Sequence, residues 1–286
     1  MNFYPVMARL RHRLNAGGTA GHGVHSPFIY DFLTTVLRNK TPGDIVNHIE
    51  SLRREMTHDK SLVTVTDLGS GSLKMKGAER RVADIARHAA LPLHEASLLA
   101  RIAGSMEHRV WSIGQGAWGK EHGAGSMELK AEQGIFLELG TSLGISTLAI
   151  ALAAPGRRVV TIEGCPQLSG IAKTNLEHYS AHNTEVMNME FSTALKELRG
   201  EDTKVTFAFI DGNHSGEALV DYVRIISRMG DEMIIVADDI HLNREMYRSW
   251  KMIAESGVAE ASIETNRFGI LFRRDSLTPG RYRIWH

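Results

Sequence analysis

Residues 135–163, IFLELGTSLGISTLAIALAAPGRRVVTIE, decide the fold. Ile135 to Leu139 is a short apolar strand. A glycine-bearing loop follows, and then Leu143 to Ala154 has the length and composition of a buried helix that stops at Pro155-Gly156. Val159 to Ile162 is rich in β-branched residues and reads as a second strand. Strand, helix and strand at this spacing predict a parallel pair joined by a right-handed crossover. The alternation continues downstream. Helix Pro166–Tyr179 has proline at its start, where a missing N–H costs little. Strands are expected at Glu185–Phe191, Val205–Ile210 and Met233–Ala237, with helices at Ser215–Met229 and Asn243–Ser256. The chain then runs into two strand-like stretches, Ala259–Glu264 and Phe268–Arg273, whose short Thr265-Asn266-Arg267 link predicts a hairpin. The fold class is therefore α/β: a Rossmann-like, mostly parallel sheet with helices on both faces and an antiparallel hairpin at its end.

Upstream the character changes. Residues 1–131 read as helical and irregular, and residues 132–286 as the α/β domain. Ile29, Phe32, Leu33, Val36 and Leu37 share one helical face, and Thr41-Pro42-Gly43 stops it. Further helices are expected over 44–54 and 80–103, the latter split near Pro92. Residues 104–134 show no period and read as a long loop. Asp67-Leu-Gly69-Ser-Gly71 forms a second glycine-bearing stretch, followed by basic, helical sequence, and reads as a turn. The N-terminal region is expected to be a helical cap over the substrate side, with a homodimer contact as a second role; Phe28, Tyr30 and Phe32 are expected to pack in a core, with an interface as the alternative.

Composition narrows the function. Lys+Arg and Asp+Glu both number 33, so no net charge draws the chain to nucleic acid or an anionic membrane. One cysteine, Cys165, excludes an intrachain disulfide and a cysteine-rich zinc site. The best apolar run, Ile145–Ala154, is far short of the roughly 20 residues that span a bilayer. A cytoplasmic protein is the expectation.

In a parallel sheet ligands bind beyond the carboxyl ends of the strands. The residues there are Gly140–Gly144, Glu163, Asp211–His214 and Asp238–His241. Small residues in the first loop let a ligand approach the backbone, and the helix behind it offers free N–H groups. The spacing is G-x-x-x-G, not the G-x-G-x-x-G of dinucleotide enzymes. Glu163 lies 23 residues after Gly140, where an acid can accept hydrogen bonds from both hydroxyls of a ribose.

Glu138-Leu-Gly-Thr-Ser-Leu-Gly144, Thr161-Ile-Glu163, Phe209-Ile-Asp-Gly-Asn-His214 and Val236-Ala-Asp-Asp239, in this order, resemble the class I S-adenosylmethionine-dependent methyltransferases, most closely the small-molecule O-methyltransferase branch. The likeness covers roughly residues 132–275. It implies that Gly140, Ser142, Gly144 and Ser146 line the methionine part of S-adenosylmethionine, with Glu138 helping to position it. Glu163 would hold the ribose, Ser192 and Thr193 would lie near the adenine, and Asp211 near the sulfonium. Likeness to the metal-dependent members implies a site for Mg²⁺ at Asp211, Asp238 and Asp239, with Asp239 replacing their Asn, whereas many related methyltransferases use no metal. His214 matches the position of a base that deprotonates the acceptor hydroxyl; His241 is a second candidate for that role.

Two other classes compete. Gly140-Thr-Ser142-Leu-Gly144 also matches the elbow of a serine hydrolase, with Asp239 and His241 following in the order acid, histidine. A non-catalytic cofactor-binding or interaction module is the other. Arg9, Arg11 and Arg13 form a modest basic stretch, but Asp211-Gly-Asn-His214 suits a hydroxyl acceptor better than a nucleobase, so a small-molecule partner is expected.

Overall fold

The computed structural model describes residues 4–18, 24–66, 79–107 and 134–286. The Asp67–Gly71 stretch, most of the 104–134 loop and the expected domain boundary at 131/132 lie outside these residues. The N-terminal region supplies α1 (Tyr4–Asn15), β1 (Gly17–Gly18) and α2 (Pro27–Asp31), the last extended by a π-helical turn over Phe32–Leu37. Then come α3 (Gly43–His58), the strands β2 (Leu62–Thr64) and β3 (Glu79–Arg81), α4 (Val82–His88) and α5 (Leu93–Glu107). The α/β series runs β4 (Ile135–Leu139), α6 (Ile145–Ala153), β5 (Val159–Glu163), α7 (Pro166–His178) and β6 (Thr184–Asn188). It continues through α8 (Phe191–Gly200), β7 (Val205–Ile210), α9 (Gly216–Ile226), β8 (Met233–Ala237) and α10 (Arg244–Glu255). Strands β9 (Ala261–Glu264), β10 (Gly269–Arg273) and β11 (Gly280–Trp285) close the chain.

Nine strands form one sheet in the order β1-β11-β9-β10-β8-β7-β4-β5-β6. From β8 through β7, β4 and β5 to β6 every pairing is parallel, and β10 runs antiparallel between β8 and β9. The strand order reverses between β4 and β7, so their carboxyl ends open a crevice at the switch point.

Side chains alternate across the sheet with the period of two that a strand imposes. On one face Phe136, Phe207, Phe209, Ile234, Val236, Ile270 and Phe272 join a core with the N-terminal helices, α6 and α7. On the other, Leu137, Leu139, Ala208, Ile210, Ile235 and Leu271 pack beneath α8, α9 and α10. Much of the first face is therefore covered by chain that precedes β4. Phe28 and Phe32 are buried, and each sets an edge against Phe272, at 5.4 and 4.8 Å between ring centres. Burying each ring contributes about 1.5–3 kcal/mol. Tyr30, expected in the core with them, is 46% exposed.

The expected helix over 80–103 begins beside strand β3 and runs on to Glu107, and three further differences from the sequence reading stand out. The third strand ends at Asn188, and the residues beyond it form α8, whose Ala194, Leu195 and Leu198 are buried on the sheet. The sheet does not end at the hairpin: β11 pairs parallel with β9, and β1 with β11. Thirdly, α1 precedes the first expected helix, and its His12 is buried against the far end of the chain. Among the described residues no helix is long and apolar enough to cross a membrane.

Candidate active site

The loop after β4 is shaped by three residues in the left-handed region: Gly140 (φ 108°), Ser142 (φ 49°) and Gly144 (φ 82°). Only glycine fits at 140, because a Cβ there would collide with the Asp211 carbonyl. The loops after β4 and β7 thus touch, and the Asp211 N–H donates to the Leu139 carbonyl at 2.9 Å. Glu163, at the tip of β5, ties the loop down from the other side. Its Oε2 accepts from the Ser142 N–H (2.8 Å) and its Oε1 from the Cys165 N–H (2.9 Å). Thr64, at the end of β2, lies beside the start of α7 and donates its N–H to Gln167 Oε1 at 2.6 Å.

Glu138, two residues after Phe136, shares its side of the strand and so points into the face covered by α6. It is fully buried. Its Oε2 accepts from the hydroxyls of Thr147 on α6 (2.5 Å) and Thr161 on β5 (2.6 Å), and Thr161 in turn pairs with Thr141 (2.6 Å). Its Oε1 has no hydrogen bond of normal geometry among the described residues. Burial pushes the Glu138 carboxyl above its usual pKa, and the neighbouring hydroxyls of Ser146, Thr147 and Thr161 oppose that rise. Ser146 is itself buried in the first turn of α6. Ser192 and Thr193 occupy the first turn of α8, where their backbone N–H groups and hydroxyls all donate to the carboxylate of Glu190, the helix N-cap.

Across β4, the ends of β7 and β8 gather Asp211, His214, Asp238 and Asp239. His214 Nε2 lies 4.0 Å from Asp211 Oδ1, and its side chain is about one-third exposed. Asp238 is buried, and its carboxylate is gripped by Arg267 from the β9–β10 hairpin: Nε donates to Oδ1 and Nη2 to Oδ2, both at 2.5 Å. Arg267 also lies 3.6 Å from Asp239, which sits at φ 50°. Burial, together with the neighbouring Asp238 and Asp239 charges, drives Asp211 well above the usual carboxylate range. Burial acts the same way on Asp238, but the Arg267 guanidinium outweighs it and holds Asp238 below that range. Glu95, near the start of α5, is raised by burial and lies within reach of the Arg267 and Asp238 charges.

The structure therefore brings His214 to the open side of the cleft and places His241 elsewhere. His241 is buried, donates Nε2–H to the Thr265 carbonyl (3.2 Å) and stacks on Tyr247. Its ring is 5.3 Å from that of His12, and both histidines face Glu264, at 3.7 and 3.2 Å. For the hydrolase reading, a histidine hydrogen-bonded to Ser142 is required; among the described residues there is none. Arg267 and Glu95 are the site residues that the sequence reading missed. Arg267 lies in a polar turn and is recognisable only once the hairpin is placed beside β8.

Residues 137–240 match a family model described as a methyltransferase domain. No curated protein matches the chain. Among solved structures, the O-methyltransferase TomG of Streptomyces achromogenes, involved in tomaymycin synthesis and crystallised with SAM, is 16% identical with a TM-score of 0.53, over 85% of this chain and 95% of that one. An O-methyltransferase of Bacillus cereus in complex with SAH is 14% identical with a TM-score of 0.50, over 85% of this chain and 96% of the other. At such identities the likeness is one of fold. Residues 137–240 are thus similar to a methyltransferase domain, and the chain shares the fold of these two structures.

Proposed function

We propose that this protein is an S-adenosylmethionine-dependent methyltransferase that methylates a hydroxyl of a small molecule in the cytoplasm. One observation carries the reading: a loop bent through three left-handed residues, clasped by Glu163 and backed by the buried Glu138, faces a polar group of Asp211 and His214 across the switch point. The chain's residues fit the cofactor. Gly140 leaves the space beside the Asp211 carbonyl that any Cβ would fill. Glu138 Oε1 is a buried acceptor without a hydrogen bond among the described residues, suited to an ammonium group. Glu163 is half-buried at the strand tip, where it can exchange its backbone partners for ribose hydroxyls.

When bound, S-adenosylmethionine supplies a methyl group on a good sulfonium leaving group. The protein's task is then to align acceptor oxygen, methyl carbon and sulfur, and to accept the hydroxyl proton. We assign the proton to His214 Nε2, and the placing of His214 to Asp211. His241 and the hydroxyls of Ser192 and Thr193 are assigned to packing and helix capping. The N-terminal region, with Glu95 reaching the cleft, is assigned to the acceptor side, with a homodimer contact as its second role. Nucleic acid is not the proposed partner. The Asp211, Asp238 and Asp239 set does not fit a Mg²⁺ ion, because both oxygens of Asp238 are engaged by Arg267, and no step is routed through a metal.

Isothermal titration calorimetry with S-adenosylmethionine and S-adenosylhomocysteine tests the reading. We expect micromolar binding, weakened roughly 10- to 100-fold in Glu163→Ala, the loss of charge-assisted hydrogen bonds. Absence of binding to either ligand would overturn it.

A further inference from the structure

We propose that Arg267 is the resident cation of the acceptor-side cluster and stands in place of a divalent metal ion. The assignment rests on geometry alone; only its relevance to catalysis rests on the methyltransferase reading.

A hard cation such as Mg²⁺ needs free carboxylate lone pairs at about 2.0–2.1 Å in near-octahedral array. Asp238 would be the central ligand, and it has little to offer. Arg267 forms a two-pronged pair with it, Nε to Oδ1 and Nη2 to Oδ2, the fork geometry at which a guanidinium excels. Oδ1 accepts a further hydrogen bond from the Asp239 N–H at 2.7 Å. The same Nη2 lies 3.6 Å from Asp239 Oδ1, so the second expected metal ligand also faces this guanidinium.

The arginine is held from its backbone. Its N–H donates to Thr265 Oγ1 (3.3 Å), and its carbonyl accepts from the Ile240 N–H (3.2 Å), which pins the hairpin to the loop after β8. With the Arg267 side chain 14% exposed and that of Asp238 fully buried, the pair is a built interior feature. Glu95, Asp211, Asp238 and Asp239 converge on it, which explains why a cation is needed there at all. Arg267 is thus a positioning residue. It fixes Asp238, and Asp238 in turn holds the Asp239 N–H and the left-handed turn on which the loop after β8 reaches the cleft.

The test uses Mn²⁺ as a paramagnetic probe, followed by electron paramagnetic resonance on the full chain. Wild type is expected to stay silent, meaning that it leaves the signal of free Mn²⁺ undiminished, up to about 1 mM, the weak limit of ordinary protein sites for hard cations. Arg267→Ala is expected to gain Mn²⁺ binding, at least tenfold tighter than wild type, and adding Asp238→Asn to it is expected to abolish that gain. Arg267→Lys, which keeps the charge, is expected to remain silent. Stoichiometric Mn²⁺ binding by wild type, lost in Asp238→Asn, would overturn the proposal, and so would a folded Arg267→Ala that stays silent. If Arg267→Ala does not fold, wild type and Arg267→Lys decide: silence in both supports the assignment, and binding in either overturns it. S-adenosylhomocysteine titrated into wild type with and without EDTA keeps the two readings apart. Equal binding in both supports the assignment, and binding that EDTA abolishes overturns it. Silence toward Mn²⁺ combined with no S-adenosylhomocysteine binding would leave Arg267 as the resident cation and remove the methyltransferase reading.

Discussion

The two sides of the cleft hold their carboxylates by different means. At the ends of β4 and β5, Glu138 and Glu163 are met by uncharged donors: threonine hydroxyls for the first, backbone N–H groups for the second. At the ends of β7 and β8, Asp238 is met by a guanidinium. Uncharged donors fix direction while leaving negative charge for an incoming cation, which suits a sulfonium and an ammonium. A guanidinium offsets the charge it touches and holds that carboxylate rigid, which leaves it nothing to offer an incoming cation. One sheet edge thus presents an attractive half and a passive half.

Four substitutions probe that contrast, the strongest first. Gly140→Ala strikes where the halves meet, since its Cβ would run into the Asp211 carbonyl from a backbone at φ 108°. A loss of about 3 kcal/mol is expected, roughly 6–12 °C in melting temperature by calorimetry. An unchanged melting temperature would mean the loops do not touch.

Thr161→Val removes a hydroxyl from Glu138 while keeping its shape. About 2 kcal/mol should be lost at pH 7, read from urea melts. Because the folded Glu138 pKa is raised, its contribution to stability is present below the unfolded pKa and lost as pH rises through the folded one. The variant raises that pKa further, so its deficit should shrink in acid. A deficit independent of pH would break the link to Glu138.

Asp211→Asn tests the passive half. Asp211 is raised by burial beside like charges, so it too loses stability as pH rises through its folded pKa. A permanently neutral side chain should raise stability by about 1 kcal/mol at pH 8 and by nothing near pH 4, seen as a pH-dependent gain in melting temperature.

Glu190→Ala serves as an outside reference, an exposed carboxylate answered by uncharged donors. The cap is expected to contribute about 0.5–1 kcal/mol. The hydrogen bonds from Ser192 hold the Glu190 pKa down, so this term is present above the unfolded pKa and fades as pH falls through the folded one. Its pH trend should therefore run opposite to that of Asp211→Asn.

The attractive half was legible in sequence because its parts are local. The glycines of the first loop, Glu138 and Glu163 lie in one strand–helix–strand unit, and the positive φ values at Gly140 and Gly144 are what glycine permits. The passive half was half legible. Asp211, His214, Asp238 and Asp239 follow strands and could be placed, but their partner arrives from a hairpin tip that reads as an ordinary polar turn. Glu95 was hidden for a similar reason, since its approach depends on how α5 lies on the sheet. Helix α8 did carry a signal, an acid at the N-cap with Leu195 and Leu198 spaced for one face, but the run into Phe191 read as strand. In β11 Tyr282 and Ile284 alternate with Arg281 and Arg283, a strand signal too short to stand out in the sequence.

The closure of the sheet by β1 and β11 dictates when the molecule can be finished. His12 bridges the Ile284 carbonyl (3.0 Å) and Glu264 (3.2 Å), and Gly17 and Gly18 pair with Ile284 and Trp285. His12 thus finds its partners 252 and 272 positions further along the chain. At about 5–20 residues per second, the 272 positions between His12 and Ile284 take roughly 14–54 s to synthesise. Through that interval α1 has no site to dock on, and the sheet edge at β9 is open. The newborn chain is therefore exposed to wrong pairing at the corner that β1 and β11 later seal.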